Sequence, residues 1–199
     1  MVLCVLVLSG CNKELGYRGT IKPKEQKIED QQIEKTEEML YFDELLNSKE
    51  NIGFLLSTYS SFDKIDFKEL LIEFPEKYSV LLSPTTIEYN NLIKSYPELD
   101  GKEVHKMTSN NLKKYIKDKT KYALEDYEKN NLSQLIYMEA YDTYYTTSKF
   151  SEEKLIDTYK VTSDANIYNV YYKYNNNRYK VTLKKVDNNY LFTSNIINN

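Results

Sequence analysis

A tyrosine-rich segment around residue 140 holds the side chains best suited to ligand binding. It contains Tyr137, Tyr141, Asp142, Tyr144 and Tyr145. Tyrosine offers a flat ring face and a hydroxyl, and an aspartate adds a charged acceptor, so together they could line a cleft for a sugar or a peptide. The alternative is that the rings pack between sheet and helices while Asp142 caps a turn. Buried tyrosines with a bonded hydroxyl are common, which favours this second interpretation.

Other residue types give little support for catalysis, so we expect no catalytic residue, cofactor or metal site. His105 is the sole histidine, between Glu103 and Lys106, where we expect a surface role rather than a place in a Ser-His-Asp or Cys-His system. The histidine and cysteine counts exclude the usual zinc sites. Calcium is open by ligand type, but no stretch matches the twelve-residue calcium loop. Paired carboxylates could serve a glycan hydrolase, and 30 acidic residues leave that alternative open.

The first eleven residues combine an apolar run with small residues and a cysteine. The run extends from Val2 to Leu8, Ser9 and Gly10 follow it, and Cys11 precedes a charged, polar stretch. A secretory signal needs an apolar core and small residues before its cleavage site. The run is short and no Lys or Arg precedes it, which indicates a translation start assigned too late. Spanning a bilayer would take about 20 apolar residues, which this run does not have.

The segment Leu8-Ser9-Gly10-Cys11 resembles the lipobox of bacterial lipoproteins. The resemblance implies that signal peptidase recognises Leu8, Ser9 and Gly10, removes residues 1–10, and leaves Cys11 as a lipidated first residue carrying diacylglycerol and palmitate. Each buried methylene contributes about 0.8 kcal/mol, so two or more chains hold a protein at a membrane where a single chain holds it weakly. The implied location is the extracytoplasmic face of the cell membrane, reached through the lipid anchor.

Two other interpretations of the N-terminus stay open. In the first, residues 1–11 form a buried strand rather than a signal, although the small residues and the polar sequence after them favour a signal. Alternatively, Cys4 and Cys11 would form a disulfide, although it would close only a short tail.

Composition predicts one folded domain behind an extension. Of 199 residues, 41% are hydrophobic and 29% are charged, as in soluble globular proteins. We expect a charged stalk over residues 11–37, which as a flexible coil would span about 30 Å. We expect a single α+β domain over residues 38–199, long enough to bury its own core. The net charge of −3 disfavours nucleic acid as a partner, because that requires a basic surface.

Apolar spacing predicts N-terminal helices packed on a C-terminal antiparallel β-meander. Apolar residues at helical spacing, with caps and prolines at the ends, predict most helices, and alternation predicts the strands. The expected helices cover Phe67 to Phe74, ended by Pro75; a segment from Ser83-Pro84 to Pro97; a segment from Thr108-Ser109 through Ile116; and a short piece with Leu124 and Tyr127. The expected strands are Phe54 to Tyr59, Leu135 to Met138, and three from Ile167 onward, with turns at 175–177 and 187–189.

Two stretches in the second half of the chain carry a recognisable pattern: residues 139–145, with their Tyr-Asp-x-Tyr-Tyr motif, and residues 179–195. Together they resemble a module found in uncharacterised lipoproteins of Gram-positive bacteria. Lys119-Thr120-Lys121-Tyr122 matches the module's Lys-Thr-Gly-Tyr segment except at the glycine. The nearest match to its Gly-Asp-Thr-Asn turn, at residues 163–166, comes later than in the module. The resemblance implies no reaction.

These observations predict a membrane-anchored lipoprotein with a non-catalytic binding or interaction module. Its ligand would be a protein, a peptide or a glycan. One alternative is a cell-envelope hydrolase with a pair of carboxylates, for example one acting on glycans. Another is a structural or chaperone-like part of an envelope complex, which an exposed apolar patch would favour.

Overall fold

The computed structural model describes residues 34–72, 74–123, 132, 135–147 and 155–198. The predicted signal peptide, nearly all of the predicted stalk and the predicted short helix at Leu124 and Tyr127 lie outside these residues. Ile33–Asn199 forms a compact unit. Its α-helices lie between residues 37 and 120, and most strands of its two antiparallel sheets follow them, which confirms the predicted α+β class. In the described part of the chain, no helix has both the length and the apolar character that crossing a bilayer requires.

Of the five α-helices in the described residues, three begin at a threonine whose side chain accepts a backbone hydrogen bond. Thr36, Thr86 and Thr108 each accept from an N–H in the first turn, which would otherwise lack a partner. The helix start predicted at Thr108-Ser109 is thereby confirmed. The helices are α1 (Glu37–Asn47), α2 (Gly53–Leu56), α3 (Phe67–Leu70), α4 (Ile87–Ser95) and α5 (Ser109–Thr120).

The strand predicted from Phe54 to Tyr59 was wrong, because its first residues form α2. A short apolar run fits a buried helix as well as a strand, and contacts distant in sequence decide between them. Here Gly53 packs so closely on α3 that a Cβ atom would lie 2.1 Å from the carbonyl oxygen of Leu70. Only Tyr59 makes a strand-like contact, a single bridge to Asn195.

Two predicted helix limits also differ from the structure. The helix predicted from Ser83-Pro84 begins three residues later at Ile87, because Ser83 instead closes a turn by accepting from the N–H and hydroxyl of Thr86. The helix predicted through Phe74 ends at Leu70. Phe74 is nevertheless buried, so the apolar spacing identified core residues but not the length of the helix.

The smaller sheet has the strand order β1-β2-β4-β3 and packs on both faces. Side chains alternate along a strand, so Val104 and Tyr145 face α4 while Met107 and Tyr144 face the main core. The sequence predicted only the third strand. The strands are β1 (Val80–Leu81), β2 (Val104–Thr108), β3 (Ile136–Met138) and β4 (Thr143–Thr147).

The larger sheet is a meander in the order β5-β6-β7-β8, and its last three strands were predicted. Its turns use residues with positive φ, namely Ala165, Asn175, Asn176 and Asp187. Asparagine and aspartate tolerate this conformation, which confirms the two predicted turns. The strands are β5 (Asp157–Asp164), β6 (Ile167–Tyr174), β7 (Asn177–Val186) and β8 (Asn189–Ile197).

The main core lies between one face of the larger sheet and helices α1, α2 and α5. Phe54 of α2 stacks on Phe192 of β8, with ring centroids 4.3 Å apart. Asp43 of α1 is fully buried and accepts from the N–H of Thr158 at 2.7 Å. Its carboxylate also pairs with Lys35, which lies in the stretch predicted as stalk. The charged pair therefore joins the segment before α1 to the edge of the larger sheet.

Candidate functional site

The predicted tyrosine constellation is divided between the two faces of the smaller sheet. Tyr144 and Tyr145 are neighbours on β4, so their side chains point in opposite directions. Tyr145 is 2% exposed and its hydroxyl donates to Glu88 of α4 at 2.8 Å. Burial, with the nearby Glu88 carboxylate, raises the pKa of the Tyr145 phenol. Tyr145 is thus a packed, neutral side chain between α4 and the sheet.

Asp142 organises a small polar network at the surface. It ends a 3-10 turn with φ of 46° and accepts from the hydroxyls of Ser109 and Tyr137. The Ser109 bond, followed by the Tyr137 bond, lowers the pKa of Asp142. The Tyr137 ring lies 4.7 Å from that of Tyr144, while Tyr141 accepts from Asn91 at 2.8 Å. The structure therefore brings Tyr137, Asp142 and Tyr144 together, with Ser109 at the start of α5. Tyr141 and Tyr145 instead bond to Asn91 and Glu88 of α4.

The lone histidine lies on β2, outside any larger group of metal-binding side chains. His105 is 3.1 Å from Glu103 Oε1, and its side chain is 21% exposed. Among the described residues, no three His, Cys, Asp or Glu side chains are placed to hold a metal ion.

A polar cleft that the sequence did not predict lies at the C-terminal end of α5. It forms where this end approaches the α1–α2 connection and the turn between β7 and β8, and its volume is about 300 Å³. That volume holds about ten waters and lies at the lower end for small-molecule sites. We call it the Lys119 cleft; its charged and amide side chains include Glu50, Asn51, Lys77, Asp118, Lys119 and Lys121.

Lys119 is the central cation of this cleft. Its ammonium donates to Asn51 Oδ1 at 2.7 Å and to Glu50 Oε2 at 3.3 Å, and its side chain is 17% exposed. Burial lowers the pKa of Lys119, although Glu50 acts in the opposite direction. An ammonium has three N–H donors. Within the described residues, Lys119 donates only to Asn51 and Glu50, which leaves its third N–H donor for a ligand.

Hydrogen bonds to neighbouring segments fix the position of the two residues that accept from Lys119. Asn51 is 4% exposed and donates to the carbonyl of Leu45 at 2.8 Å, which fixes its amide. The hydroxyl of Tyr115 donates to the carbonyl of Glu50 at 3.1 Å. These bonds position Asn51 and the Glu50 backbone, so the two acceptors of Lys119 sit on an ordered connection.

Asp118, the second acidic residue of the cleft, has a partner of its own. It accepts from the hydroxyl of Tyr78 at 3.0 Å. Burial, followed by this bond to Asp118, raises the pKa of the Tyr78 phenol, so the phenol keeps its proton at neutral pH. Lys77 lies over the Tyr78 ring, 5.4 Å from its centroid.

Two tyrosines form the aromatic part of the cleft. The Tyr41 and Tyr190 rings are 6.1 Å apart and tilted by 54°, and Tyr41 is 49% exposed. Burial raises the pKa of Tyr190 to about 12. Asn188 and Asn189 also line the cleft, at the β7–β8 turn. The cleft thus combines ring surface, amides and cations.

Sequence reasoning missed this cleft because its residues come from segments far apart in the chain. No motif with a local spacing links the lining residues, which include Tyr41, Glu50, Lys77, Lys119 and Tyr190. The single signal was the similarity of the Lys-Thr-Lys-Tyr segment that begins at Lys119 to the lipoprotein module, and this gave no role for the lysine.

Comparisons with protein-family models, with curated proteins and with solved structures found no match to this chain. Its function is therefore inferred from residues and geometry.

Proposed function

We propose that this chain is a membrane-anchored lipoprotein of the extracytoplasmic face, lipidated at Cys11, whose folded domain binds a ligand without transforming it. The anchor rests on the apolar run, Ser9, Gly10 and Cys11 of the sequence. The binding role rests on one observation: Lys119 presents a spare N–H donor inside a ligand-sized polar cleft.

A carboxylate-based hydrolase is the second candidate, because Glu50 and Asp118 line the same cleft. Such an enzyme needs one carboxyl group to donate a proton and another to act as base or nucleophile. Here Glu50 bonds to the Lys119 ammonium and Asp118 accepts from the Tyr78 hydroxyl. Both carboxylates act as acceptors for donors of the protein itself, which favours binding over hydrolysis.

Replacement of the cysteine tests the anchor. With the gene expressed from its own locus, we expect the wild-type protein in the membrane fraction and an accumulated precursor under globomycin. Cys11→Ala removes the thiol that would carry the lipid, so this variant should leave the processed membrane-bound pool. Cys4→Ala is the matched control, because Cys4 lies in the predicted signal and its loss should change neither processing nor fractionation. If Cys11→Ala fractionates like the wild type, lipidation at Cys11 is refuted.

A further inference from the structure

We propose that the Lys119 cleft binds a monosaccharide-sized organic anion, an acidic sugar or a sugar phosphate. Its carboxylate or phosphate contacts Lys119, and its ring lies against Tyr41 and Tyr190. This inference rests on the proposed binding function and adds the chemical class of the ligand.

The charge of the cleft selects an anion. Three lysines line it, Lys77, Lys119 and Lys121, against two acidic residues whose carboxylates already accept from protein donors. Cations thus outnumber acids here, whereas acids outnumber cations in the whole chain, 30 to 27. Hydrogen bonds between an ammonium and a carboxylate or phosphate are about twice as strong as neutral ones. The third donor of Lys119 therefore has its best partner in an anionic group.

The burial of Lys119 makes this partner more valuable. Removing an ammonium from water disfavours its charged form, and burial lowers the pKa of Lys119 accordingly. Glu50 and Asn51 offset only part of that cost, since they satisfy two of three donors. A ligand anion at the third donor would further stabilise the charged form. Ligand binding and protonation of Lys119 are consequently linked.

The two tyrosines of the cleft, Tyr41 and Tyr190, favour a ligand that contains a ring. Tyr41 is half exposed although it contacts Phe42 and Tyr190, so part of its ring surface is available to a ligand. The C–H face of a sugar can lie on such a ring, while the amides of Asn188 and Asn189 can meet hydroxyls. At about 300 Å³ the cleft has room for a small ring with its substituents.

A matched set of probes tests the ligand class on the full-length protein in detergent. Glucuronate and glucose differ at one carbon, where a carboxylate replaces a hydroxymethyl group, and glucose 6-phosphate and inorganic phosphate test the phosphate with and without the ring. By calorimetry we expect at least one acidic sugar to bind about tenfold or more tightly than glucose and than phosphate. Equal binding of glucose, equal binding of phosphate alone, or no saturable binding of either acidic sugar overturns the proposal.

Substitutions place the ligand in the cleft. Lys119→Gln should weaken binding of the acidic sugar about tenfold or more. Since Lys119 also supports Asn51 and Glu50, circular dichroism must show a native fold, and Tyr41→Ala, at a half-exposed ring, tests the site independently. Lys160→Gln is the control, because this exposed lysine lies on β5 over Tyr171. Unchanged affinity in both cleft variants overturns the proposal. Failure here with intact Cys11-dependent anchoring would remove the ligand class and leave the lipoprotein assignment.

Discussion

The hydroxyl of Tyr172 on β6 donates to Asn195 Oδ1 on β8 at 2.8 Å, and both residues are completely buried. The bond reaches past the intervening strand β7 on the core face. The amide nitrogen of Asn195 donates onward to the carbonyls of Ser57 and Leu55, at 2.8 and 3.3 Å. One buried amide therefore joins three segments: two strands of the larger sheet and the end of α2. A buried polar network of this kind stabilises a fold only while every member is satisfied.

Asn195→Leu should destabilise the domain by about 2–4 kcal/mol, because the Ser57 carbonyl loses its amide donor and the Tyr172 hydroxyl keeps only its longer 3.3 Å bond to the Leu55 carbonyl. Tyr172→Phe removes a single hydroxyl and should cost about 1–2 kcal/mol. Urea unfolding followed by circular dichroism measures both. As a control, Tyr159→Phe removes a partly exposed hydroxyl on β5 and should change the free energy of unfolding by less than about 0.5 kcal/mol. A cost for Asn195→Leu no greater than this control would contradict the network.

Gly53→Ala should destabilise the domain by about 3 kcal/mol or more, because the new Cβ would overlap the backbone of α3. The methyl group would lie 2.1 Å from the Leu70 carbonyl oxygen, and backbone cannot move aside as a flexible side chain can. Gly101→Ala is the matched control. A Cβ at Gly101 would meet open space, but φ is 71°. Gly101→Ala should therefore lower the free energy of unfolding by only about 1 kcal/mol, the cost of a left-handed backbone. Thermal unfolding of both variants provides the comparison, and equal losses would show that the close approach is relieved by local movement.

The fold class followed from local sequence patterns, whereas several individual elements depended on packing between distant segments. In β6 and β7 apolar residues recur at every second position, and asparagine and aspartate mark the turns, so local pattern was sufficient. At Phe54 the local pattern suited a strand, but in the fold this segment forms α2, and Gly53 packs against the backbone of Leu70. β2 was missed because Val104 and Met107 are buried on opposite faces, so the strand lacks simple alternation.

The candidate site was less predictable than the fold. The tyrosine segment drew attention because its residues are adjacent in sequence, yet the pleat of β4 separates Tyr144 from Tyr145. The Lys119 cleft combines residues up to 149 positions apart, from Tyr41 to Tyr190. These residues meet only when the chain packs, so no spacing within one segment of the sequence predicts the cleft.

The domain should lose stability at alkaline pH through its buried tyrosines. Burial raises the pKa of Tyr115 and of Tyr172 above the ordinary value of about 10 for a phenol. The unfolded chain then releases these protons at a pH where the folded chain still keeps them. Stability is therefore full below about pH 10 and falls as the pH rises further. Urea midpoints measured from neutral to strongly alkaline pH should show this decline.

The buried tyrosines can be distinguished from exposed ones in the same experiment. Tyr172→Phe removes one group whose ionisation favours unfolding, so its stability should depend less steeply on pH above about 10 than that of the wild type. Tyr122 is exposed, and Tyr122→Phe should keep the wild-type slope. If the two variants show the same slope, burial of Tyr172 does not contribute to the alkaline transition.

Substitution of the cleft carboxylates separates binding from hydrolysis. In Glu50→Gln and Asp118→Asn the amide keeps the shape of the side chain and removes its charge, so the Lys119 and Tyr78 contacts weaken without leaving a cavity. For a binding cleft we expect no glycan turnover by the wild type, and a change in affinity for acidic sugars with either variant. Loss of one acid should favour an anionic ligand, since it raises the positive charge of the cleft. Turnover of a cell-wall glycan by the wild type, abolished by both substitutions while the fold is retained, would instead establish the hydrolase with Glu50 and Asp118 as its catalytic pair.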